Sequence, residues 1–264
     1  MNISNTYLDT RVILESERRL DTLVDAVEFC RGRLGVEPDA RQQEVLLSQA
    51  KRGILNCTRQ WGKSTIAAVK AVHRAYSQAE SLVLVASPSG RQSAEFLRKA
   101  AAMVRKLGTA PVGDGDNEIS LLLPNGSRIV GLPGNEGTVR GFSAVSLLLI
   151  DEASRVEDAM YKSLRPMLAV GAGDLWLMST PYGRRGFFYE AFAHGGERWH
   201  RVTVPGTECA RIPAEFLEEE REHLGQLWFR QEYGCEFVDN GQQLFGSDVL
   251  EGALDPTVKA LVFD

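Results

Sequence analysis

The chain has 264 residues, of which 44% are hydrophobic and 25% are charged, and its net charge at pH 7 is −5. These values are typical of a soluble globular protein with one large domain or one domain and a small appendage, and the negative charge argues against a protein that coats DNA. The sequence has no apolar run near the roughly 18 residues that span a bilayer and no signal-peptide core, so we predict a cytosolic protein without a membrane segment.

Helix-like and strand-like segments alternate along most of the chain. Helices are predicted at 15–34, 39–50, 63–79, 89–107 and 156–170. Buried strands are predicted at 53–58, 81–87, 144–154 and 174–181, and a hairpin is predicted at 118–132, where Asn125-Gly126 favours a tight primed turn. Short buried strands that alternate with helices indicate an α/β fold with a mostly parallel central sheet flanked by helices.

The pattern changes from residue 182 onward. The segment WHRVTV at 199–204 predicts one more strand, and the segment that begins at Ile212 predicts two short helices broken at Gly225. We therefore expect a core over 1–181 and a small subdomain over 182–240 that packs beside the sheet, followed by a linker. The four cysteines form no C-x-x-C pair, so reduced and mostly buried thiols are expected.

The stretch NCTRQWGKST, residues 56–65, ends like a phosphate-binding loop. Cys57 stands where the usual pattern G-x-x-x-x-G-K-[ST] has its first glycine, which mainly eases a turn. Gly62 would permit close approach of the backbone to a phosphate, and Lys63 would supply positive charge. Ser64 would ligate magnesium. A chance G-K-S-T at the start of a helix is the alternative interpretation.

A second pattern, LLLIDE, consists of four apolar residues followed by Asp151 and Glu152. This is the form of a Walker B strand. Asp151 would hold magnesium, directly or through water, and Glu152 would orient and deprotonate the attacking water. Two acids after an apolar strand can instead cap a helix, but the loop and this strand together predict hydrolysis of ATP with Mg²⁺.

The loop sequence TRQWGKST lacks the first glycine but carries Arg-Gln inside the loop. In this it resembles the Walker A loop of the large terminase subunit of tailed bacteriophages, the viral DNA-packaging motor. The resemblance covers about 35–240 and implies a P-loop NTPase fold of the RecA/ASCE type, with 182–240 as the helical lid of the motor domain. It also implies that the whole loop contacts the nucleotide: Cys57, Thr58, Arg59, Gln60, Trp61, Gly62, Lys63, Ser64 and Thr65.

The same resemblance assigns roles on either side of the loop. The segment 35–52 is similar to the adenine side of the family site, which implies that Gln42 contacts adenine, with Gln43 as the alternative; a solvent-facing glutamine is the plainer interpretation. Ser179 and Thr180 resemble the coupling motif, whose hydroxyls would sense the γ-phosphate. A plain turn after a strand is the alternative for this pair.

Arg140 lies in an R-G segment before the acid strand, and it matches a candidate arginine finger that reaches the ATP of a neighbouring subunit. Arg59 could act within its own subunit instead, or as a sensor. A finger in trans implies a homo-oligomeric ring, with a monomer left open for the isolated chain. The resemblance also implies double-stranded DNA, the portal protein and the small terminase subunit as partners, in the cytoplasm of the infected bacterial host.

Large terminases carry a second, RNase H-like nuclease domain. The final segment VKALVFD resembles the first strand of such a domain, cut off at its first acid, Asp264. A single carboxylate cannot build a two-metal site. We therefore interpret 241–264 as a linker and the truncated start of that domain, and we expect no nuclease activity.

Two other functions fit parts of the sequence. A helicase or another P-loop remodeller would need a second motor lobe, for which the chain after residue 182 is too short. A module that only binds nucleotide would need no general base, whereas Glu152 predicts one. DNA contacts are predicted at the hairpin residue Arg128 and on a basic helix, for which a solvated face is the alternative. The basic helix carries Arg98, Lys99, Arg105 and Lys106.

Overall fold

A computed structural model describes residues 25–117, 119–132 and 141–238 of the chain. Its centre is a seven-stranded sheet. The strands are β1 (Arg52–Cys57), β2 (Leu82–Ala86), β3 (Ser120–Leu122), β4 (Arg128–Gly131), β5 (Leu147–Asp151), β6 (Asp174–Ser179) and β7 (His200–Val204). The helices are α1 (Ala26–Gly32), α2 (Ala40–Leu47), α3 (Lys63–Ser77), α4 (Gly90–Lys106), α5 (Asp158–Leu164), α6 (Gly186–Ala193), α7 (Ala214–Leu224) and α8 (Gln226–Glu232). Within these ranges, no helix is both long and apolar enough to cross a membrane.

The strands lie in the order β3-β4-β2-β5-β6-β1-β7, and every neighbouring pair is parallel except β3 and β4. β6 therefore separates β1, which leads into the phosphate loop, from β5, which ends at Asp151. Because parallel strands present their carboxyl ends at one edge of a sheet, the loop, the end of β6 and the acids meet there. One strand between the two functional strands is the RecA-like arrangement, and the predicted fold class is confirmed.

Apolar side chains cover both faces of the sheet. On β1, Leu55 and Cys57 belong to the cluster that includes α3 and α4, whereas Ile54 belongs to the cluster on the other face. The residues that α3 buries against the sheet are mostly small: Ile66, Ala67, Ala68, Val69, Ala71, Val72 and Ala75. Small residues let the helix lie close to the strands, so the N-terminus of α3 is held directly beside the carboxyl end of β1.

The predicted elements are present, with boundaries that differ by a few residues. The helix predicted at 156–170 is divided, because α5 ends at Leu164 and a 3₁₀ turn follows at Arg165–Leu168. Pro166 lies in that turn and lacks the backbone N–H that a continuing α-helix needs. The part of the predicted helix 15–34 before residue 25 lies outside the described residues. All four cysteines are free and buried, as predicted.

The hairpin between β3 and β4 is confirmed, but the prediction of a primed turn is wrong. The Gly126 N–H donates to the Leu123 carbonyl at 3.0 Å, which closes a turn with Pro124 and Asn125 at its centre. Gly126 has a φ of +82°, whereas Asn125 does not have a positive φ. Proline holds φ at about −65° and cannot adopt the positive φ that a primed turn needs at that position. The glycine therefore takes the left-handed conformation one residue later.

β7 changes the boundary expected at residue 182. It pairs in parallel with β1, from Gly53 opposite His200 to Cys57 opposite Val204, so it lies in the sheet rather than beside it. The helix α6 before it was not predicted, because its sequence GFFYEAFA is apolar on nearly all sides and shows no helical period. The helices α7 and α8 follow, separated by Gly225 as predicted. We call residues 205–238 the lid.

Candidate active site

The phosphate loop connects β1 to α3 and wraps round a lysine. Gln60 and Gly62 have φ of +63° and +100°, so the loop enters the left-handed region twice. The buried Lys63 ammonium group donates to the carbonyl oxygens of Cys57 and Thr58 at 2.7 and 2.9 Å. It lies at the N-terminus of α3, where free backbone N–H groups and the helix dipole favour a phosphate group.

Gly62 is confined on the side away from the cavity. A Cβ atom there would lie 2.7 Å from Arg211 Nη1 and 3.2 Å from Gln42 Nε2. Arg211 and Gln42 both donate to the carbonyl oxygen of Trp61, at 2.9 and 2.8 Å. Two side chains from distant segments thus hold this part of the loop, and glycine is the residue that fits between them.

Ser64 and Asp151 meet between α3 and β5. The Ser64 hydroxyl donates to Asp151 Oδ2 at 3.0 Å, and the Glu152 N–H donates to Asp151 Oδ1 at 3.1 Å. Burial, and then the neighbouring Glu152, raises the pKa of Asp151. A carboxylate beside a hydroxyl is a pair of oxygen ligands of the kind that Mg²⁺ prefers, and a cation would offset the unfavourable burial of the negative charge. The residues present therefore fit a magnesium ion.

Glu152 follows β5 directly and has a φ of +51°, in the left-handed region. Its side chain contributes to a cavity of about 320 Å³ that lies against the phosphate loop. The lining residues are Arg59, Gln60, Gly62, Lys63, Gln92, Glu152 and Arg155. Gln92 and Arg155 were not predicted. Gln92 lies in the first turn of α4, just after β2, so a polar residue beyond a buried strand was a usable signal for it.

The end of β6 brings Ser179 and Thr180 between the loop and the acids. Ser179 Oγ lies 3.5 Å from Glu152 Oε2 and 2.7 Å from Ser154 Oγ. The Thr180 hydroxyl donates to Glu232 Oε2 at 3.4 Å. One member of the predicted coupling pair therefore contacts the predicted general base, and the other contacts the lid.

Glu232, at the end of α8, is the carboxylate that holds Arg59. Arg59 Nε donates to Glu232 Oε2 at 2.7 Å, and Arg155 Nη2 donates to Oε1 at 3.3 Å. The Thr58 hydroxyl donates to the backbone carbonyl of Glu232 at 3.2 Å. The hydrogen bond to Glu232 raises the pKa of Arg59. Sequence reasoning missed Glu232, because nothing in the local sequence separates it from the other acids of the lid.

The two glutamines that were predicted for the adenine side form hydrogen bonds with the protein backbone. The buried Gln42 amide accepts from the Asp39 N–H at 3.1 Å and donates to the Trp61 carbonyl at 2.8 Å. The Gln43 amide donates to the Pro38 carbonyl at 2.9 Å. The Trp61 indole is 2% exposed in the core beneath the loop, so this residue presents its backbone, and not its ring, to the site.

Three further residues were predicted to belong to the nucleotide site: Cys57, Thr65 and Arg140. Arg140 lies outside the described residues, so the position of the trans finger stays a prediction. Cys57 presents its carbonyl to Lys63, while burial raises the pKa of its thiol. The Thr65 N–H donates to the Gly62 carbonyl at 3.0 Å, in the first turn of α3.

The predicted DNA contacts fall into two groups. Lys106 donates to the Leu34 carbonyl at 2.6 Å, and Arg128 forms an ion pair at 3.6 Å, so both have roles inside the fold. Arg98, Arg105 and Lys106 are exposed on α4, whereas Lys99 is half-buried. Contact of this helix with DNA stays a prediction.

Similar proteins share this arrangement of sequence and fold. The chain matches the family model described as terminase large subunit, T4likevirus-type, N-terminal, over residues 54–251. The terminase large subunit of Thermus phage G20c is 27% identical over 254 residues, which cover 82% of this chain and 52% of that protein. This chain therefore spans about half the length of that relative.

Two solved structures resemble the fold. The ATPase domain of the Thermus phage P74-26 large terminase matches with a TM-score of 0.72 at 23% identity, covering 81% of this chain and 100% of that domain. The large terminase of another thermophilic bacteriophage, in complex with ADP, matches with a TM-score of 0.65 at 12% identity, covering 75% of this chain and 53% of that one. Because the family match extends over most of the chain and includes the phosphate loop, the acid pair and the lid, the chain belongs to the terminase large-subunit family.

Proposed function

We propose that this chain is the ATP-hydrolysing part of a DNA-packaging motor, which uses ATP and Mg²⁺ to move double-stranded viral DNA into a procapsid. The observation that carries the proposal is the convergence of Lys63, the Ser64–Asp151 pair and Glu152 at one edge of the sheet. Membership of the terminase family supports packaging as the purpose of hydrolysis. The terminase solved with ADP has also been solved with ATP-gamma-S, which supports ATP as the nucleotide.

Each side chain has a separate task in this mechanism. Lys63 would exchange the carbonyl oxygens of its own loop for phosphate oxygens and would hold the phosphates in line for attack. Ser64 and Asp151 would hold magnesium, which when bound neutralises charge on the phosphate oxygens. Glu152 would accept the proton of the attacking water, and Ser179, at 3.5 Å, would hold the Glu152 carboxylate before that water binds.

Arg59 connects the phosphate site to the lid. Its side chain lines the cavity and pairs with Glu232 of the lid. A γ-phosphate in the cavity would compete with Glu232 for the guanidinium group, because both offer paired oxygens to its planar fork of donors. Binding of ATP would therefore loosen one tie between the loop and the lid. We infer that Arg59 contacts the γ-phosphate within its own subunit.

Two further site roles rest on the family pattern. Arg140 would reach the ATP of a neighbouring subunit, which requires a homo-oligomeric ring. Gln42 would contact adenine, and it would have to give up its hydrogen bond to Trp61 to do so. If Gln42 keeps that bond, its task is to shape the loop. A Gln42→Glu variant that retains its preference for ATP over GTP would favour the second role.

The wider setting is proposed on the same basis. The partners would be double-stranded DNA, the portal protein and the small terminase subunit, and the site of action would be the cytoplasm of an infected bacterium. The core would extend through β7, the lid would cover 205–238, and the linker with the start of a nuclease domain would cover 241–264. DNA contact by exposed arginines of α4 would be independent of sequence and sensitive to salt, as a motor requires.

The test is steady-state hydrolysis of ATP with Mg²⁺ as a function of protein concentration. The specific activity of the wild type should rise with concentration, because Arg140 would act on a neighbour. Glu152→Gln should lower kcat by roughly 10²- to 10⁴-fold, the usual contribution of a general base. Glu157→Gln replaces an exposed acid shortly after it and is the matched control, which should leave kcat unchanged.

Mixing experiments separate the two arginines. Arg140→Ala should be inactive alone, and it should recover part of the activity when mixed with Glu152→Gln, because each variant supplies the group that the other lacks. Activity that is independent of concentration, with a fully active Arg140→Ala, would reject the trans finger and favour Arg59. Binding of ATP without hydrolysis at any concentration would instead identify a nucleotide-binding module.

A further inference from the structure

Asn56 is a polar residue in the middle of the sheet. It lies in β1 between two apolar neighbours and is 1% exposed. Side chains alternate between the two faces of a strand, so Asn56 shares the face of Ile54, opposite the face that α3 covers. A buried amide has both donors and an acceptor to satisfy, and an unpaired polar atom is unfavourable at such a position.

The Asn56 amide has one hydrogen-bond partner in the described part of the chain. Its Nδ2 donates to the Cys235 carbonyl at 2.8 Å, whereas its Oδ1 is buried without a partner among those residues. The orientation of the amide follows from chemistry, because the Cys235 carbonyl needs a donor and the NH₂ group is the end that supplies one. The buried acceptor Oδ1 is therefore available to another donor.

Strand register identifies that donor. Asn56 is paired with Ser179 where β1 runs parallel to β6. Paired residues on neighbouring strands lie about 5 Å apart and present their side chains to the same face. The face is the same here, since Leu177, two residues before Ser179, belongs to the cluster of Ile54. The Ser179 hydroxyl lies 2.7 Å from Ser154 Oγ and 3.5 Å from the Glu152 carboxylate. If Ser154 donates to Ser179, the Ser179 proton can go either to Glu152 or towards the Asn56 amide oxygen on the same face.

The amide nitrogen of Asn56 binds Cys235, the residue of the lid that determines how the chain leaves α8. Cys235 follows α8 and has a φ of +57°, which is uncommon for a residue with a side chain. Its thiol donates to the Val204 carbonyl at 3.3 Å, so the core holds both its side chain and its carbonyl. This residue determines how the chain leaves α8, and α8 ends at Glu232, the partner of Arg59.

We propose that Asn56 is a positioning residue that transmits the state of Glu152 to the lid through Ser179. This inference rests on the proposed function, because Glu152 has to change partner when ATP and the attacking water bind. When Glu152 turns to the water, the Ser179 hydroxyl transfers its hydrogen bond from Glu152 to Asn56 Oδ1. Accepting this bond polarises the amide and strengthens the bond from Nδ2 to Cys235, which holds the exit of α8 more firmly.

The test measures nucleotide affinity and the lid response separately. Hydrogen exchange over 214–236 is compared without and with a non-hydrolysable ATP analogue and Mg²⁺, and calorimetry gives the Kd of the analogue. The analogue should slow exchange at the exit of α8, over 233–236, in the wild type, and this change is the lid response. Asn56→Leu keeps the branched shape of the side chain but neither hydrogen bond, so the Kd should stay within about threefold of wild type while the lid response falls by about tenfold, as expected for a residue that carries coupling.

Three variants support this measurement. Asn56→Thr has one donor and one acceptor and should recover part of the response. Gln231→Leu is the matched control, because Gln231 ties the lid to the core by accepting from the Gly183 N–H at 3.3 Å, through a contact that does not involve Ser179; it should keep the response. If Asn56→Leu does not fold, Ser179→Ala breaks the same path at its other end and should remove the lid response even at a saturating concentration of the analogue.

The possible results separate this inference from the proposed function. Failure of the wild type to bind the analogue would overturn both. A wild type that binds and responds, with an equal response in Asn56→Leu, would overturn the role of Asn56 alone. An equal loss of response in Gln231→Leu and Asn56→Leu would also overturn it, because Asn56 would then be an ordinary anchor of the lid.

Discussion

The ion pair between Arg59 and Glu232 should restrain the phosphate loop before ATP binds. In Glu232→Gln the side chain keeps its shape and one acceptor oxygen, but it loses the negative charge that lies 2.7 Å from Arg59 Nε. Arg59 can then turn to a γ-phosphate without first leaving a carboxylate. We therefore expect the variant to bind ATP more tightly than the wild type and to be less stable without nucleotide.

The magnitude follows from the exposure of the two side chains. Glu232 is 7% exposed, but Arg59 is 59% exposed, so solvent screens the pair from one side. A charge-assisted hydrogen bond in this setting contributes roughly 1–2 kcal/mol, more than a fully exposed pair and less than a buried one. ATP that no longer competes with this bond should bind about 5- to 30-fold more tightly. The free energy of unfolding should fall by a similar roughly 1–2 kcal/mol.

Calorimetric titration with a non-hydrolysable ATP analogue measures the affinity, and chemical denaturation measures the stability. Glu236→Gln is the matched control, because Glu236 is also a lid carboxylate paired with an arginine, Arg230, but both side chains are 47% exposed. The control should change either quantity by less than about 1 kcal/mol. If Glu232→Gln loses stability and binds the analogue with an unchanged Kd, the pair does not compete with nucleotide and the reasoning is refuted.

Three further substitutions test the loop, the metal site and the support of α3. Gly62→Ala should lower the free energy of unfolding in chemical denaturation by roughly 1–3 kcal/mol, because alanine is strained at a φ of +100° and its Cβ would meet Arg211; an unchanged value would contradict this. Because the pKa of Asp151 is raised in the folded state, the wild type loses stability as the pH rises through that pKa. Asp151→Asn should therefore raise the melting temperature at neutral pH without magnesium, and it should remove the stabilisation by Mg²⁺ with nucleotide. A lower melting temperature of the variant without magnesium would contradict this reasoning. Lys70 lies with its ammonium group 4.4 Å from the Trp176 ring, and burial lowers its pKa to about 8. Because the unfolded chain holds this proton more tightly, the stability of the wild type relative to Lys70→Met should rise by roughly 2–3 kcal/mol between about pH 7 and pH 10, and a constant difference across denaturations at each pH would refute the shift.

Chemistry that lies in one short segment was predictable from the sequence. G-K-S-T after a buried strand places Lys63 and Ser64 at a helix N-terminus, and LLLIDE places Asp151 at a strand end, because the order of residues along one turn or one strand decides their geometry. The hairpin turn belongs to the same class. Pro124 precedes Asn125-Gly126 in the sequence, and a proline at that position excludes a primed turn. The prediction of a primed turn did not take Pro124 into account.

The partners of these residues could not be read in the same way. Arg59 and Glu232 are 173 positions apart, and Asn56 and Cys235 are 179 positions apart. Which of the many acids in the lid contacts Arg59 depends on how α8 packs on the core. The place of β7 beside β1 is of the same kind, since a strand of five residues that are partly polar and partly apolar fits an edge of the sheet or a separate subdomain equally well.

Sequence alone therefore predicted the α/β class, the phosphate loop and the acid pair, because each depends on interactions within a few residues of backbone. The tertiary structure alone decided that β6 separates the two functional strands, that the lid carboxylate Glu232 holds Arg59, and that the Asn56 amide donates to the Cys235 carbonyl. Those contacts join segments that meet only after the chain has packed. Their energies come from burying specific charges and amides together, and no local pattern records which distant group will be there.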